Sequence, residues 1–218
     1  MKWIKIPVFL LGLAPAGWLY WLYLHDALGA NPIEHITHGT GDWTLIFLLV
    51  TLAVSPLRRI LGRPELIRFR RMLGLFACFY GTLHLTTYLW LDKFFDWNDI
   101  VKDVYKRPFI TAGFTAFVAM VPLAVTSTAG WIRRLGGRRW NLLHRLIYLS
   151  AVAAVVHYYW LVKSDVRLPL LDAGIVLILF AERIISARRR SARSAAPAQN
   201  LRDPAVAHLG GPSERRSP

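Results

Sequence analysis

The sequence predicts an all-α integral membrane protein with six transmembrane helices, and three observations lead to that prediction. The 218 residues are 55% hydrophobic and their mean hydropathy is +0.36, which is too apolar for an ordinary soluble domain. The apolar residues form long uncharged blocks, several of them near the ~20 residues that a helix needs to cross a bilayer. The basic residues gather between these blocks, as topology signals do.

The blocks place six helices, which together form one predicted transmembrane domain over residues 1–187. The first block is interpreted as a retained helix and not a signal peptide, because it is long and no A-x-A-like cleavage site follows it. Pro56 closes the second helix, and Pro122 predicts a kink in the fourth. The sixth is the weakest, since Asp172 and Glu182 bound its apolar part. The helices are predicted at about 6–24, 43–58, 72–91, 109–132, 141–163 and 168–185.

Three segments outside the helices are expected to lie in water or at the membrane surface. Residues 25–42 are polar and carry three histidines, so they are interpreted as a loop with solvated imidazoles. Residues 92–108 mix acids and bases around aromatics, which is typical of a surface segment. Residues 188–218 are rich in Arg, Ser, Ala, Pro and Gly and are predicted to form a disordered cytoplasmic tail.

The distribution of Lys and Arg predicts the orientation. With six helices and both termini in the cytoplasm, only six of the 27 basic residues lie outside. These six are Lys93, Lys102, Lys106, Arg107, Lys163 and Arg167. The positive-inside rule therefore favours this topology, with the basic residues facing lipid headgroups.

Composition also excludes several classes of function. The single cysteine, Cys78, rules out an intramolecular disulfide and a thiolate-bound iron–sulfur cluster. The net charge is +14, and the basic residues that cause it lie at the ends of apolar blocks and in one tail, not on a basic helix or soluble domain. We therefore expect no nucleic-acid partner.

Two histidines in predicted spans are candidate metal ligands, because ionisable groups inside a membrane are costly and usually functional. His84 lies twelve residues beyond Met72 and His157 sixteen beyond Asn141, on helices that both run outward. The two imidazoles are therefore predicted at one level in the outer leaflet, as opposite axial ligands of one low-spin b-type haem clamped between helices 3 and 5. The alternative for each is a hydrogen-bonded core histidine.

A third histidine, His144, is predicted near the cytoplasmic face, at the level of a second haem or a flavin. Thirteen helical residues place it ~20 Å from His157 along the axis but ~140° around it, so the two do not share a helix face. Arg70 and Arg145 flank this inner level and are candidates for binding haem propionates or a flavin phosphate. Both are also expected to act as topology determinants.

Two segments resemble the ferric-reductase-like transmembrane family. One segment is TSTAGWIRRLGGRRWNLLHRLIYL followed by HYYWLVK, and the other is RRMLGL followed by YGTLHLTTYLWLD. The resemblance covers roughly residues 40–185. It implies that His84, His144 and His157 are haem-linked. It also implies bound FMN, electrons from the quinone pool or a cytosolic flavin reductase, and a periplasmic molybdenum-containing partner that reduces methionine sulfoxide.

The chain departs from the wider family at one position. Arg70 stands fourteen residues before His84, where that family places a fourth histidine. His144 therefore lacks an obvious partner, so one haem plus a flavin is favoured and a second haem is doubtful. The few residues after Ile185 hold no folded nucleotide domain, so another protein or a quinol is expected to supply the electrons.

The prediction is a bacterial inner-membrane b-type cytochrome that passes electrons outward, as the electron-transfer subunit and not the catalytic subunit of a methionine sulfoxide reductase. One alternative is a transmembrane electron carrier of the metalloreductase type that reduces ferric chelates. A non-enzyme alternative is a haem-free membrane scaffold or transporter.

Overall fold

The computed structural model describes residues 4–200, and all regular structure in that range is helical. Its eight α-helices are α1 (Lys5–Leu24), α2 (Pro32–Ile60), α3 (Ile67–Thr86), α4 (Trp97–Lys106), α5 (Pro108–Val125), α6 (Ala129–Leu143), α7 (Leu146–Leu161) and α8 (Arg167–Asn200). A 3₁₀ turn, Pro64–Leu66, precedes α3 and a π-helical segment, Thr87–Asp92, follows it. The chain divides into two compact units, Met1–Leu177 and a second that starts at Ile178.

Five helical stretches are long and apolar enough to cross a membrane: Lys5–Leu24, Pro32–Ile60, Pro64–Asp92, Pro108–Val125 and Ala129–Leu161. Large apolar side chains such as Leu11 and Val118 stand exposed on them, as expected of faces that contact lipid and not water. The prediction of an all-α multi-pass membrane protein is confirmed in this form. The sixth predicted span, 168–185, lies within α8 and is not among the five; Asp172, Glu182 and Arg183 interrupt its apolar run.

The predicted polar loop over residues 25–42 is wrong in its second half, because α2 begins at Pro32 and not near residue 43. Asn31 caps this helix: its Oδ1 accepts a hydrogen bond from the Glu34 amide at 3.3 Å, and its Nδ2 donates to Glu34 Oε2 at 2.9 Å. Proline is also well suited to the first helical position. These local signals extend the helix over polar residues, so His35 and His38 lie on α2.

The predicted helices at 109–132 and 141–163 are also divided differently. Hydroxyls close α5 at Val125, since Thr126 donates to the Pro122 carbonyl and Ser127 to the Leu123 carbonyl, each at 2.6 Å. The basic segment that follows forms a separate helix, α6, which Gly136 bends with its φ of +71°. α7 then starts only at Leu146.

Part of the predicted disordered tail is helical. α8 continues to Asn200, so residues 188–200 extend the last helix. Alanine and arginine, which dominate this stretch, have high helix propensity. The remaining residues of that tail, 201–218, lie outside the described part of the chain.

Aromatic packing joins α1, α2 and α3. The Phe47 ring stacks on Phe76 at 5.3 Å and on Tyr80 at 5.4 Å between centroids. Tyr80 is fully buried; its hydroxyl donates to the Gly12 carbonyl at 2.8 Å and accepts from the Ala16 amide at 3.1 Å. An uninterrupted α-helix would pair these two groups. The Tyr80 hydroxyl therefore ties α3 to the backbone of α1.

The α5–α7 pair packs through small side chains. Ala116 and Ala119 of α5 and Ala151 of α7 are buried, which allows close approach of the backbones, as is common between membrane helices. Ser150, fully buried, donates from its hydroxyl to the Ala116 carbonyl at 2.9 Å.

An ionic cluster holds α4 against the end of the preceding π-helical segment. Lys93 Nζ lies 2.6 Å from the carboxylates of both Asp99 and Asp103. Asp103 is buried, and Arg107 and the Tyr88 hydroxyl also contact its carboxylate. The hydrogen bond from Lys93 lowers the pKa of Asp99. A buried carboxylate with several donors is well satisfied, so this cluster fixes the connection between α3 and α5.

We predict that Tyr80→Phe destabilises the protein by about 1–3 kcal/mol, because it leaves the Gly12 carbonyl and Ala16 amide without their buried partner. Thermal unfolding of the protein in detergent, followed by far-ultraviolet circular dichroism, measures the loss.

Tyr105→Phe is the matched control, since Tyr105 is 81% exposed. Equal unfolding temperatures for the two variants would contradict a stabilising role of the Tyr80 hydroxyl.

Candidate functional site

The two histidines predicted to be level meet in the structure. His84, near the end of α3, and His157, near the end of α7, have ring centroids 6.0 Å apart and ring planes inclined by 77°. Both lie near the carboxyl ends of their helices. At the other ends, Arg70 of α3 is close enough for its charge to act on His144 just before α7. α3 and α7 therefore run in the same direction.

Each of these rings is held by one hydrogen bond to a backbone carbonyl of a neighbouring helix. His84 Nδ1 donates to the Thr37 carbonyl of α2 at 2.8 Å, and His157 Nδ1 donates to the Phe109 carbonyl of α5 at 2.6 Å. A carbonyl oxygen only accepts, so Nδ1 carries the hydrogen in both neutral rings. The Nε2 atom of each ring is left with a free lone pair, which is the form that binds a metal.

Glycines on the same two helices make room for the rings. A Cβ atom at Gly41 of α2 would lie 3.1 Å from both Nδ1 and Cε1 of His84. A Cβ at Gly113 of α5 would lie 2.9 Å from His157 Nδ1 and 3.1 Å from its Cε1. The rings thus occupy the space that any other residue's side chain would need.

His144 is placed differently from its predicted position within a helix. It is the residue that ends α6, and Arg145 separates it from α7. Both His144 and Arg145 keep right-handed helical backbone angles, so the break between α6 and α7 is slight. Its ring stacks on Trp140 at 3.7 Å between centroids, and Nδ1 donates to the Trp140 carbonyl at 3.0 Å. Its Nε2 is buried and makes no hydrogen bond within the described part of the chain.

The two candidate arginines differ in their surroundings. Arg70 is partly buried and its charge reaches His144. Arg145 is exposed. The charge of Arg70 therefore acts on His144 at one end of α3 and α7, and His84 and His157 meet at the other.

The spacing of His84 and His157 fits two imidazoles that bind one iron from opposite sides. Metal–imidazole bonds are about 2.0–2.1 Å and the ring centroid lies about 1 Å behind the ligating nitrogen, so two axial imidazoles have centroids about 6 Å apart. The observed separation is 6.0 Å. Within residues 4–200 no three His, Cys, Asp or Glu side chains form a metal-binding cluster, so the donor set here is a pair of imidazoles.

Sequence reasoning missed four residues of this site. Thr37 and Phe109 supply the carbonyls that accept the histidine hydrogen bonds, and Gly41 and Gly113 make room for the rings. Thr37 and Gly41 fell in the predicted polar loop, and Phe109 and Gly113 looked like ordinary residues of a span. Backbone carbonyls carry no side-chain signal. The only available hint was Gly113, which lies inside a predicted span, where glycine is unfavourable.

Comparison with known proteins identifies the family of the chain. The ferric reductase like transmembrane component family matches residues 37–155, which include α2 from Thr37, α3, α5, α6 and most of α7. His84 and His144 lie within the matched range, and His157 two residues beyond it. No solved structure matches the chain.

Several curated relatives are similar over most of their length. A protein of Herminiimonas arsenicoxydans is 52% identical over 193 residues, covering 88% of each chain. One of Xanthomonas campestris pv. campestris strain 8004 is 53% identical over 191 residues, covering 85% of this chain and 87% of its own. One of Azospira oryzae is 50% identical over 225 residues, covering 97% and 95%. Each is named protein-methionine-sulfoxide reductase heme-binding subunit MsrQ.

Both the extent of these matches and their level of identity agree with the resemblance found in the sequence, which is thereby confirmed. The chain belongs to the ferric-reductase-like transmembrane family and, within it, to the MsrQ group.

Proposed function

We propose that the chain is a b-type cytochrome of the bacterial inner membrane that passes electrons outward to a periplasmic molybdenum enzyme, which reduces methionine sulfoxide. One observation carries the proposal: the rings of His84 and His157 lie 6.0 Å apart between centroids, and each has its Nδ1 hydrogen bonded to a carbonyl, which leaves the lone pair on Nε2. The relatives' name, a heme-binding subunit of a protein-methionine-sulfoxide reductase, supports the reaction that the electrons serve. The chain acts as the electron-transfer subunit.

In this proposal His84 and His157 would hold the haem between α3 and α7. When bound, haem supplies reversible one-electron chemistry. The protein's own contribution is to fix the rings and to exclude water with the surrounding apolar helices. Hydrogen bonds from Nδ1 to the Thr37 and Phe109 carbonyls raise the basicity of Nε2 and fix the ring orientation. Stronger donation from Nε2 favours the oxidised iron and so a more reducing couple.

The number of electrons that methionine sulfoxide reduction consumes determines how often the chain must deliver one. Reduction of methionine sulfoxide to methionine consumes two electrons and two protons and releases one water. A one-electron carrier must therefore deliver an electron twice for each sulfoxide that is reduced. The partner enzyme, and not this chain, has to store the first electron until the second arrives.

His144 and Arg70 mark the level at which electrons enter from the quinone pool or a cytosolic flavin reductase. The buried Nε2 of His144 makes no hydrogen bond of ordinary geometry in the described chain, although the Leu123 backbone also acts on this ring; in this proposal Nε2 accepts from a second group. Arg70 carries a fixed positive charge beside it and suits a haem propionate or the phosphate of FMN. Arg145, exposed next to His144, is placed to bind the same anionic group.

The topology that belongs to this function has six crossings with both termini in the cytoplasm, α8 supplying the sixth. The basic residues of the 58–71 and 133–139 segments support it. The shared direction of α3 and α7 supports it further, because both helices then carry their histidine pair toward the outer face.

Labelling of single cysteines tests this topology. In a Cys78→Ser background, Asn98→Cys and Ser164→Cys should react with a membrane-impermeant maleimide in intact spheroplasts. Gly137→Cys and Ala192→Cys should react only after permeabilisation. Labelling of residue 192 in intact spheroplasts would contradict the sixth crossing.

For the ligands, we predict that His84→Ala and His157→Ala each abolish the low-spin b-haem spectrum, since each removes one axial imidazole. The reduced-minus-oxidised optical spectrum of the purified protein measures it. His25→Ala is the matched control: its Nδ1 also donates to a backbone carbonyl, that of Trp21 at 2.8 Å, but the ring is exposed at the end of α1.

Full low-spin haem in both variants would show that the ligands lie elsewhere. A wild-type protein without any haem spectrum would favour the haem-free scaffold or transporter.

The electron-transfer role is tested with the dithionite-reduced protein after removal of excess reductant. We expect reoxidation of the haem only when a periplasmic molybdenum-containing methionine sulfoxide reductase and methionine sulfoxide are both present. Stopped-flow absorbance measures the rate, with the enzyme alone and the sulfoxide alone as controls. Faster reoxidation by ferric citrate than by the complete mixture would favour the metalloreductase alternative.

A further inference from the structure

We propose that Gly41 and Gly113 are positioning residues. Each acts together with the backbone carbonyl one turn earlier on its helix. The pair orients a haem-binding histidine and determines how strongly its Nε2 donates electrons to the iron. The two copies are Thr37 with Gly41 on α2, acting on His84, and Phe109 with Gly113 on α5, acting on His157. This inference rests on the proposed haem ligation.

Both copies have the same construction. Residues four apart lie above one another on one helix face, so the carbonyl of residue i and the glycine at i+4 border a single patch of helix surface. In both cases the Nδ1 and Cε1 atoms of the imidazole lie within 3.1 Å of the position that a Cβ atom would take. Its Nδ1 then reaches the carbonyl, at 2.8 Å for Thr37 and 2.6 Å for Phe109.

The backbone does not require glycine at either position. Gly41 and Gly113 lie inside α2 and α5 and have no positive φ. Glycine in a helix interior is less stable than alanine, so a purely structural account predicts that Ala would be tolerated or would stabilise the helix. The contact with a histidine ring is what each glycine makes possible.

A methyl group at Gly113 would meet His157 Nδ1 at 2.9 Å, which is closer than carbon and nitrogen atoms pack. The nearest atoms belong to the ring itself, so relief comes from moving the ring away from α5. That movement lengthens the bond to the Phe109 carbonyl and turns Nε2 off the axial direction. At Gly41 the contacts are 3.1 Å, so the ring of His84 should move less.

The experiment compares Gly113→Ala and Gly41→Ala with two controls, Gly17→Ala and Gly174→Ala, whose added Cβ atoms meet nothing within 4 Å. All four variants are prepared as the full chain in detergent and supplied with haem. Haem affinity, the electron paramagnetic resonance spectrum and the midpoint potential are measured, with circular dichroism reporting helix content. For Gly113→Ala we expect about 10-fold or greater loss of haem affinity, as for other changes in the groups that support metal ligands.

We further expect a high-spin component and a raised potential in Gly113→Ala, with smaller changes in the same direction in Gly41→Ala and none in the controls. Added free imidazole should restore the low-spin signal in Gly113→Ala, because it can take the position that His157 has left. Should Gly113→Ala fail to fold, Gly41→Ala carries the test through its altered spectrum and potential.

Two negative outcomes are distinguishable. If His84→Ala and His157→Ala lose the low-spin haem while both glycine variants match the controls, the positioning role is wrong and the proposed ligation stands. If the histidine variants keep the haem, the ligation itself is wrong.

Discussion

A histidine between apolar helices must satisfy two ring nitrogens where water is scarce, and the solution here is a hydrogen bond from Nδ1 to a helix carbonyl. His84 and His157 both use it, with Thr37 and Phe109 as acceptors. The bond fixes both the tautomer and the ring plane. It leaves the lone pair of Nε2 as the ring's metal-binding position. Under the proposed ligation, the same two Nε2 atoms would bind the iron, so one hydrogen bond on each ring would orient the ligand and set its tautomer.

That arrangement depends on the way the helices are paired. α2 packs on α3 and α5 packs on α7 as the two most extensive pairs, and each pair contains one histidine with its carbonyl and its glycine. The aromatic cluster around Tyr80 holds the first pair to α1, and the small residues around Ser150 let the second pair approach closely. The orientation of each histidine ring is therefore determined within one helix pair, α2–α3 or α5–α7. Contacts between the two helix pairs bring the two rings together.

The sequence was sufficient for whatever depends on hydrophobic blocks and on side chains with distinctive chemistry. It predicted the all-α membrane architecture, the family and the level pairing of His84 with His157. It failed at helix ends, where local polar contacts decide: the Asn31 cap starts α2 early, and the Thr126 and Ser127 hydroxyls end α5 early. It also missed the glycines and carbonyls of the site, because a contact between Gly113 and a histidine 44 residues away leaves no periodic pattern.

The surroundings of His144 and those of the His84–His157 pair differ in how firmly they hold the rings. The rings of His84 and His157 are held by contacts among four helices, α2, α3, α5 and α7. His144 is held locally, by the ring and carbonyl of Trp140 one turn earlier and by the turn that ends α6. The buried Nε2 of His144 can accept a hydrogen bond, and the charge of Arg70 attracts an anion, so together they suit a ligand that carries both a hydrogen-bond donor and a negative charge. A group bound there must bring most of its own contacts, which suits a flavin or a quinone that exchanges electrons better than a haem clamped from both sides.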